Sequence, residues 1–218
     1  MISRRWDEAA VLGFFQIFGL WAARAWRVSN PRTRDSLGIG AFNLVASTAY
    51  RRVGGFAAFP LAVLEDLTLA RRIKRAGLRA RVAFGIDMVQ VHWAAGTGGL
   101  VGVMTKNIFA VFNYHLSLVL FGVLWLTAFC LAPFIVIWIP ALAVPAAITL
   151  AAMTCGYALL RRISDIPTQN ILLAPYAVLI FIFTLLRSTV VTLRQGGVIW
   201  RGTFYSLDEL KQNTDPIL

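Results

Sequence analysis

Apolar residues run without a single Asp, Glu, Lys or Arg from residue 107 to residue 160, and a further long apolar stretch covers 172–193. A bilayer core takes about 20 apolar residues per helix. The first run therefore predicts two spans, 116–139 and 141–160, meeting at Pro140 as an antiparallel hairpin. Arg161 and Arg162 then mark a return to the cytoplasmic side, because basic residues stay inside. The 172–193 segment carries Arg187 near its C-terminal end, where a long cation can snorkel or face protein. If this segment spans, Arg194, Arg201 and Lys211 lie outside, against the charge rule; a re-entrant or interfacial path keeps them inside. The sequence leaves both paths open.

Ahead of the membrane part the pattern is mixed. Residues 8–27 form one apolar, helix-periodic stretch that ends at Asn30-Pro31. Arg24 and Arg27 beside Trp21 and Trp26 favour a helix in the interface over a span. Residues 31–106 alternate short apolar runs with turn residues and read as a compact α/β segment. Strands are predicted at 41–45, 80–84 and 88–91. Ser47 is predicted to cap a short helix that ends at Gly54-Gly55. A second follows Leu64-Glu65-Asp66, with Leu69, Ile73 and Ala76 on one face and Gly77 closing it. Its acids lead and Arg71, Arg72, Lys74 and Arg75 trail, which suits the helix macrodipole. Residues 99–114 give a second interfacial helix. The regions are thus 1–30, an interfacial helix; 31–115, an α/β segment; 116–193, membrane helices; and 194–218, an interfacial tail.

Composition sharpens this picture. Of the 218 residues 58% are hydrophobic and 14% charged, against about 25% charged in average globular chains. The net charge is +11. Residues 1–117 hold 15 Lys/Arg and 6 Asp/Glu, a surplus of 9. Anionic lipid and the positive-inside rule account for that surplus better than nucleic acid, since a multi-spanning chain is a poor nucleic-acid reader. Cys130 and Cys155 lie inside apolar runs and read as packing residues, not as a disulfide or metal framework. The first residues do not form a signal peptide: Gln16 and Arg24 interrupt the apolar stretch, and no small-residue cleavage pattern follows.

Acids are scarce, so each one counts. In the α/β segment only Glu65-Asp66 forms a carboxylate pair. Asp66 suits a helix start, and it equally suits a general base taking a proton from an attacking hydroxyl. Gly38-Ile39-Gly40 lacks the third glycine of a dinucleotide fingerprint and precedes its strand; it reads as a tight turn that lets ligand or backbone approach. His92-Trp93 reads as structural, with no second His near enough for a metal pair. Trp200 and Arg201, just past the last apolar segment, fit interface anchors as well as a site at the membrane face.

Three segments together resemble a known family. They are Gly38-Ile39-Gly40-Ala41-Phe42; Ala49-Tyr50-Arg51-Arg52-Val53-Gly54-Gly55-Phe56; and Leu64-Glu65-Asp66 running to Ala76-Gly77. The order is similar to the acceptor-side half of the GT-A catalytic domain of membrane-bound family 2 glycosyltransferases, where "Y-x-x-V-G-G-F" precedes an "E-D-x-x-L-x-x-R-x-x-x-x-G" helix. Thr105 to Phe109, and Trp200 through Leu210, resemble a bacterial subgroup associated with hopanoid and carotenoid glycosylation. The resemblance implies a partial GT-A domain followed by transmembrane helices. It implies inverting transfer from a nucleotide sugar to a lipid-type acceptor at the cytoplasmic face of a bacterial inner membrane. Asp66 would be the base and Glu65 would shape the acceptor pocket. Gly38, Gly40 and Ala41 would line the donor sugar or acceptor, and Trp200 and Arg201 would close the membrane face.

The departures are equally specific. The family's nucleotide-binding half and its D-x-D pair, which holds a divalent metal (Mg or Mn) on the diphosphate, have no counterpart here. Where processive relatives carry Q-x-x-R-W, this chain reads Gln90-Val91-His92-Trp93, which argues against a polysaccharide synthase. The expectation is a fragment, a truncated product or one piece of a split enzyme. The alternative is a non-catalytic membrane protein acting as an anchor or interaction subunit. A transporter or channel piece ranks below both, with Arg187 as its one intramembrane charge.

Overall fold

A computed structural model describes residues 2–85, 88–200 and 202–213. The architecture is mostly helical. Helix α1 (Trp6–Ala22) is followed by α2 (Ser47–Arg52), α3 (Glu65–Arg75), α4 (Gly96–Thr105) and α5 (Ile108–Val111). The apolar part holds α6 (Leu116–Leu126), α7 (Pro133–Val136), α8 (Pro140–Leu160) and α9 (Ala174–Gln195). A two-stranded antiparallel hairpin, β1 (Gly197–Trp200) and β2 (Thr203–Ser206), leads into α10 (Leu207–Asn213).

Three stretches are long and apolar enough to cross a membrane: Leu116–Val136, Pro140–Leu160 and Thr168–Gln195. They match the three segments expected from the sequence. A π-helical turn at Thr127–Leu131 joins α6 to α7. The antiparallel hairpin is not formed as expected. Helix α8 packs on α7, on the Thr168–Leu173 turn and on α1, rather than along the length of α6. The π turn and Pro133 lie in the first stretch ahead of Pro140.

Helix α9 is the hub, packing against α1, α4, α5 and α6. The core clusters Phe14, Met104, Phe109, Val119, Leu126, Phe181 and Leu185 around it. Its buried face also carries Thr184, Ser188, Thr189 and Thr192. Thr184 Oγ1 and Thr189 Oγ1 donate to backbone carbonyls four residues back. Ser188 Oγ instead accepts the Phe109 N–H of α5 at 3.1 Å.

Two expectations change. The α1 segment is a helix, but its first half, Asp7 through Phe14, is buried rather than laid on an interface. Its apolar residues surround the helix, so packing between α4, α8 and α9 is the arrangement that removes them from water. Further along, Trp21 stacks on Trp125 of α6 at 5.1 Å between ring centroids.

The expected strands at 41–45, 80–84 and 88–91 are not strands among the described residues. They carry no ladder; Ile2 N–H donates to Val91 O as an isolated link. β-propensity makes a strand only where a neighbour supplies hydrogen bonds. The α/β class therefore reduces, in the described residues, to helices plus one hairpin.

The short helices of residues 47–77 stand where expected, but Ser47 is the first helical residue rather than the cap: Ala46 holds the N-cap, with no side-chain hydrogen bond. Val45, Tyr50 and Val53 pack on a small separate core of Phe59, Ala62, Leu69 and Ile73. Gly77, at φ 73°, follows α3 as its C′ residue. Lys74 anchors α3 to the turn after α1: its Nζ donates to Val28 O and, at 2.8 Å, to Asn30 O. In that same turn Asp35 is held by Arg24 at 2.8 Å and Arg27 at 3.1 Å.

Candidate functional site

Asp66 sits in the first turn of α3, one residue after its start at Glu65. Leu64, not Asp66, occupies the N-cap, and no side chain caps the helix. Asp66 Oδ1 accepts the N–H of Leu67 at 2.8 Å. The side chain is partly buried. Burial raises its pKa above the usual aspartate value, while the N–H groups of Leu67, Gly40 and Asp66 itself pull the other way. Desolvation wins: the protein favours the protonated acid more than water does.

The Gly38–Phe42 turn lies directly on this residue. A Cβ added at Gly38 would fall 2.0 Å from the Asp66 carbonyl oxygen, and one at Gly40 would fall 3.3 Å from Oδ2. A glycine at 38 is therefore a steric requirement of the contact. Asn43, read from sequence only as part of a strand, pins the turn. Its Nδ2 donates to Ile39 O at 2.8 Å, its Oδ1 accepts the Ile39 N–H at 3.4 Å, and Phe42 N–H closes on Ile39 O at 3.1 Å. Asn at a turn is the available sequence signal for this role. The exposed turn brings Ala41 and Phe42 to the surface next to the carboxyl. Glu65 is partly buried beside it.

The structure thus gathers Asp66, Glu65, Gly38, Gly40 and Ala41. Trp200 ends β1, its backbone paired with Thr203; its side chain, and Arg201, lie outside the described residues. The hairpin itself packs on α9 and α10. Arg187 is exposed on α9.

A second acid pair, Asp7-Glu8, was not singled out as a site from sequence. Both side chains are buried and reach the start of α4. Glu8 accepts the Gly96 N–H at 2.7 Å and the Arg4 N–H at 2.8 Å, and meets His92 Nε2 at 3.2 Å. Asp7 accepts Arg5 Nε at 2.9 Å, Thr97 N–H at 3.1 Å and Thr97 Oγ1 at 3.2 Å. The single Thr97 hydroxyl proton goes to Asp7, so Tyr176 O–H donates to Thr97 Oγ1 across 2.7 Å. Gly96 and Thr97 carry the orphan N–H groups of a helix start, where carboxylates are favoured. Gly96 sits at φ 65°, a left-handed backbone that suits glycine. The Arg5 hydrogen bond is the main reason the Asp7 pKa falls to about 2, and the Gly96 N–H is the main reason the Glu8 pKa is lowered.

Among the described residues no group of three or more His, Cys, Asp or Glu is placed to hold a metal. The divalent ion implied by the family resemblance has no fitting donor set here, and no step below runs through one. Two surface cavities lie elsewhere. One, about 410 Å³, is lined by Arg161, Ser164, Asp165, Pro167 and Gln169. The other, about 210 Å³, lies between the ends of α4 and α9 and strand β1. Asp66 lines neither. No family model matches the chain, and neither the curated proteins nor the solved structures yield a match.

Proposed function

We propose that this chain supplies the acceptor-side residues for transfer of a sugar from a nucleotide sugar to a lipid-type hydroxyl, at the cytoplasmic face of a bacterial inner membrane. The observation that carries the reading is Asp66: a partly buried carboxyl of raised pKa, set against a glycine turn, in a chain with three helices apolar enough to cross a bilayer. A carboxylate offers about four acceptor sites. Three backbone N–H groups act on this one, which leaves room for an acceptor hydroxyl. As that oxygen attacks the anomeric carbon, its proton passes to Asp66. The bond from that carbon to the diphosphate breaks, and its electron pair leaves with the nucleotide. A base whose pKa is raised toward working pH is the better proton acceptor, provided it stays ionised. Nucleotide and diphosphate contacts would come from a nucleotide-binding half acting with these residues. The membrane helices would hold the lipid near the base and reduce the entropic cost of the encounter.

The test is reconstitution. The chain is co-expressed with a family 2 nucleotide-binding half, supplied with radiolabelled nucleotide sugars, and its lipids are extracted. Labelled lipid that disappears with Asp66→Asn supports the proposal. No label from folded protein, or label indifferent to Asp66→Asn, sinks it. A second reading, a non-catalytic anchor or interaction subunit, is favoured by one observation: Asp66 lines neither of the two cavities. It expects the indifferent result.

A further inference from the structure

The larger cavity lies in the loop between α8 and α9. Two apolar stretches, Pro140–Leu160 and Thr168–Gln195, end and begin there. A loop joining two such stretches falls at headgroup depth if both insert. The cavity holds about 410 Å³, within the roughly 300–1,000 Å³ typical of small-ligand sites.

Its lining is chemically lopsided in a useful way. Arg161 and Asp165 face one cavity with opposite charges. Both are exposed, and neither makes an ion pair with a described residue. Ser164, between them in sequence, has its Oγ shielded from solvent and without a hydrogen-bond partner. Gln169 adds an amide on the far side of Pro167. A cation and an anion in one cleft, neither ion-paired among the described residues, call for a ligand bearing both charges.

We infer that this cleft binds the phosphoethanolamine headgroup of a membrane lipid. The Arg161 guanidinium takes the phosphate, since its planar fork matches phosphate oxygens. Asp165 and the Gln169 carbonyl accept the primary ammonium. A purely anionic headgroup leaves Asp165 facing like charge. A choline headgroup has no N–H to donate, and the aromatic cage that recognises quaternary ammonium is absent from the lining. The inference does not depend on the glycosyl-transfer reading.

The experiment uses the full chain in nanodiscs of phosphatidylcholine doped with phosphatidylethanolamine or phosphatidylglycerol. Lipids retained after detergent extraction are quantified by mass spectrometry, with soluble phosphoethanolamine as competitor. Phosphatidylethanolamine is expected to be enriched, and Arg161→Gln and Asp165→Asn are each expected to cut the enrichment about tenfold, the worth of one charged hydrogen bond. Because both side chains are exposed, the variants should keep the wild-type melting temperature. Asp165→Lys should turn the preference toward phosphatidylglycerol, which loss of fold would not do. Equal retention of all three lipids overturns the inference. So does phosphatidylglycerol preference in the wild type, or unchanged enrichment in the variants. Full displacement by soluble phosphoethanolamine at equal concentration overturns the lipid as the source.

Discussion

Three pairs of adjacent acids lie in the opening turns of helices, Asp7-Glu8, Glu65-Asp66 and Asp208-Glu209, and the surroundings of the first two oppose each other. Asp7-Glu8 at the head of α1 is buried, yet donors surround it, so both carboxyls are held ionised. At Asp66, beside Glu65 at the head of α3, burial outweighs the three backbone donors and the pKa rises. The balance between burial and donors, not either alone, sets the direction. A carboxylate whose donors outweigh its burial is a joint. One whose burial outweighs its donors retains a reason to take a proton.

The contrast breaks most visibly at Asp66. With the nucleotide-binding half supplied, Asp66→Asn should lower labelled-lipid formation by about 10²–10⁴, the usual worth of a general base, while leaving the melting temperature near wild type. Glu8→Ala should do the reverse. It strands the partly buried Gly96 N–H, while water can take the N–H of exposed Arg4; a loss of about 1 kcal/mol or more should show in thermal unfolding in detergent. Equal melting temperatures for the two variants would erase the distinction. Gly38→Ala bears on the first pair: its methyl would meet the Asp66 carbonyl, so the turn must move. A cost of about 1–3 kcal/mol is expected for such overpacking, with transfer lost as well.

The smallest effect is in pH. The Asp7 pKa is depressed from 3.8 to about 2, so its contribution to stability is present above 3.8 and lost as pH falls toward 2. The stability gap between wild type and Asp7→Asn should close over that window. Asp66 has the opposite sign. Its raised pKa should place the acid limb of the transfer rate above pH 3.8, where a free aspartate would already be ionised.

The membrane helices were legible because their signal is local: an uninterrupted apolar run states its own length. The α3 helix was legible for a similar reason, with acids first, bases last and a closing glycine. Failures came where the information is held far along the chain. The stretch at 80–84 has strand-like residues, but a strand is a property of a pair. Asp7-Glu8 carries no local signal of its role, because its amide partners Gly96 and Thr97 lie 88 and 90 residues away. The proximity of Gly38 and Gly40 to Asp66 was suggested by family resemblance, not by spacing. Asn43 was read for its propensity when its side chain was the informative part.

The bond from Phe109 N–H to Ser188 Oγ has a mechanical consequence. It ties the first turn of a four-residue helix to one notch on α9. Sliding α9 by a single residue would withdraw that hydroxyl from the amide. The helix carrying the C-terminal hairpin is therefore indexed to the segment just before the first apolar stretch, like a pawl in a ratchet, and Ser188→Ala would free the wheel.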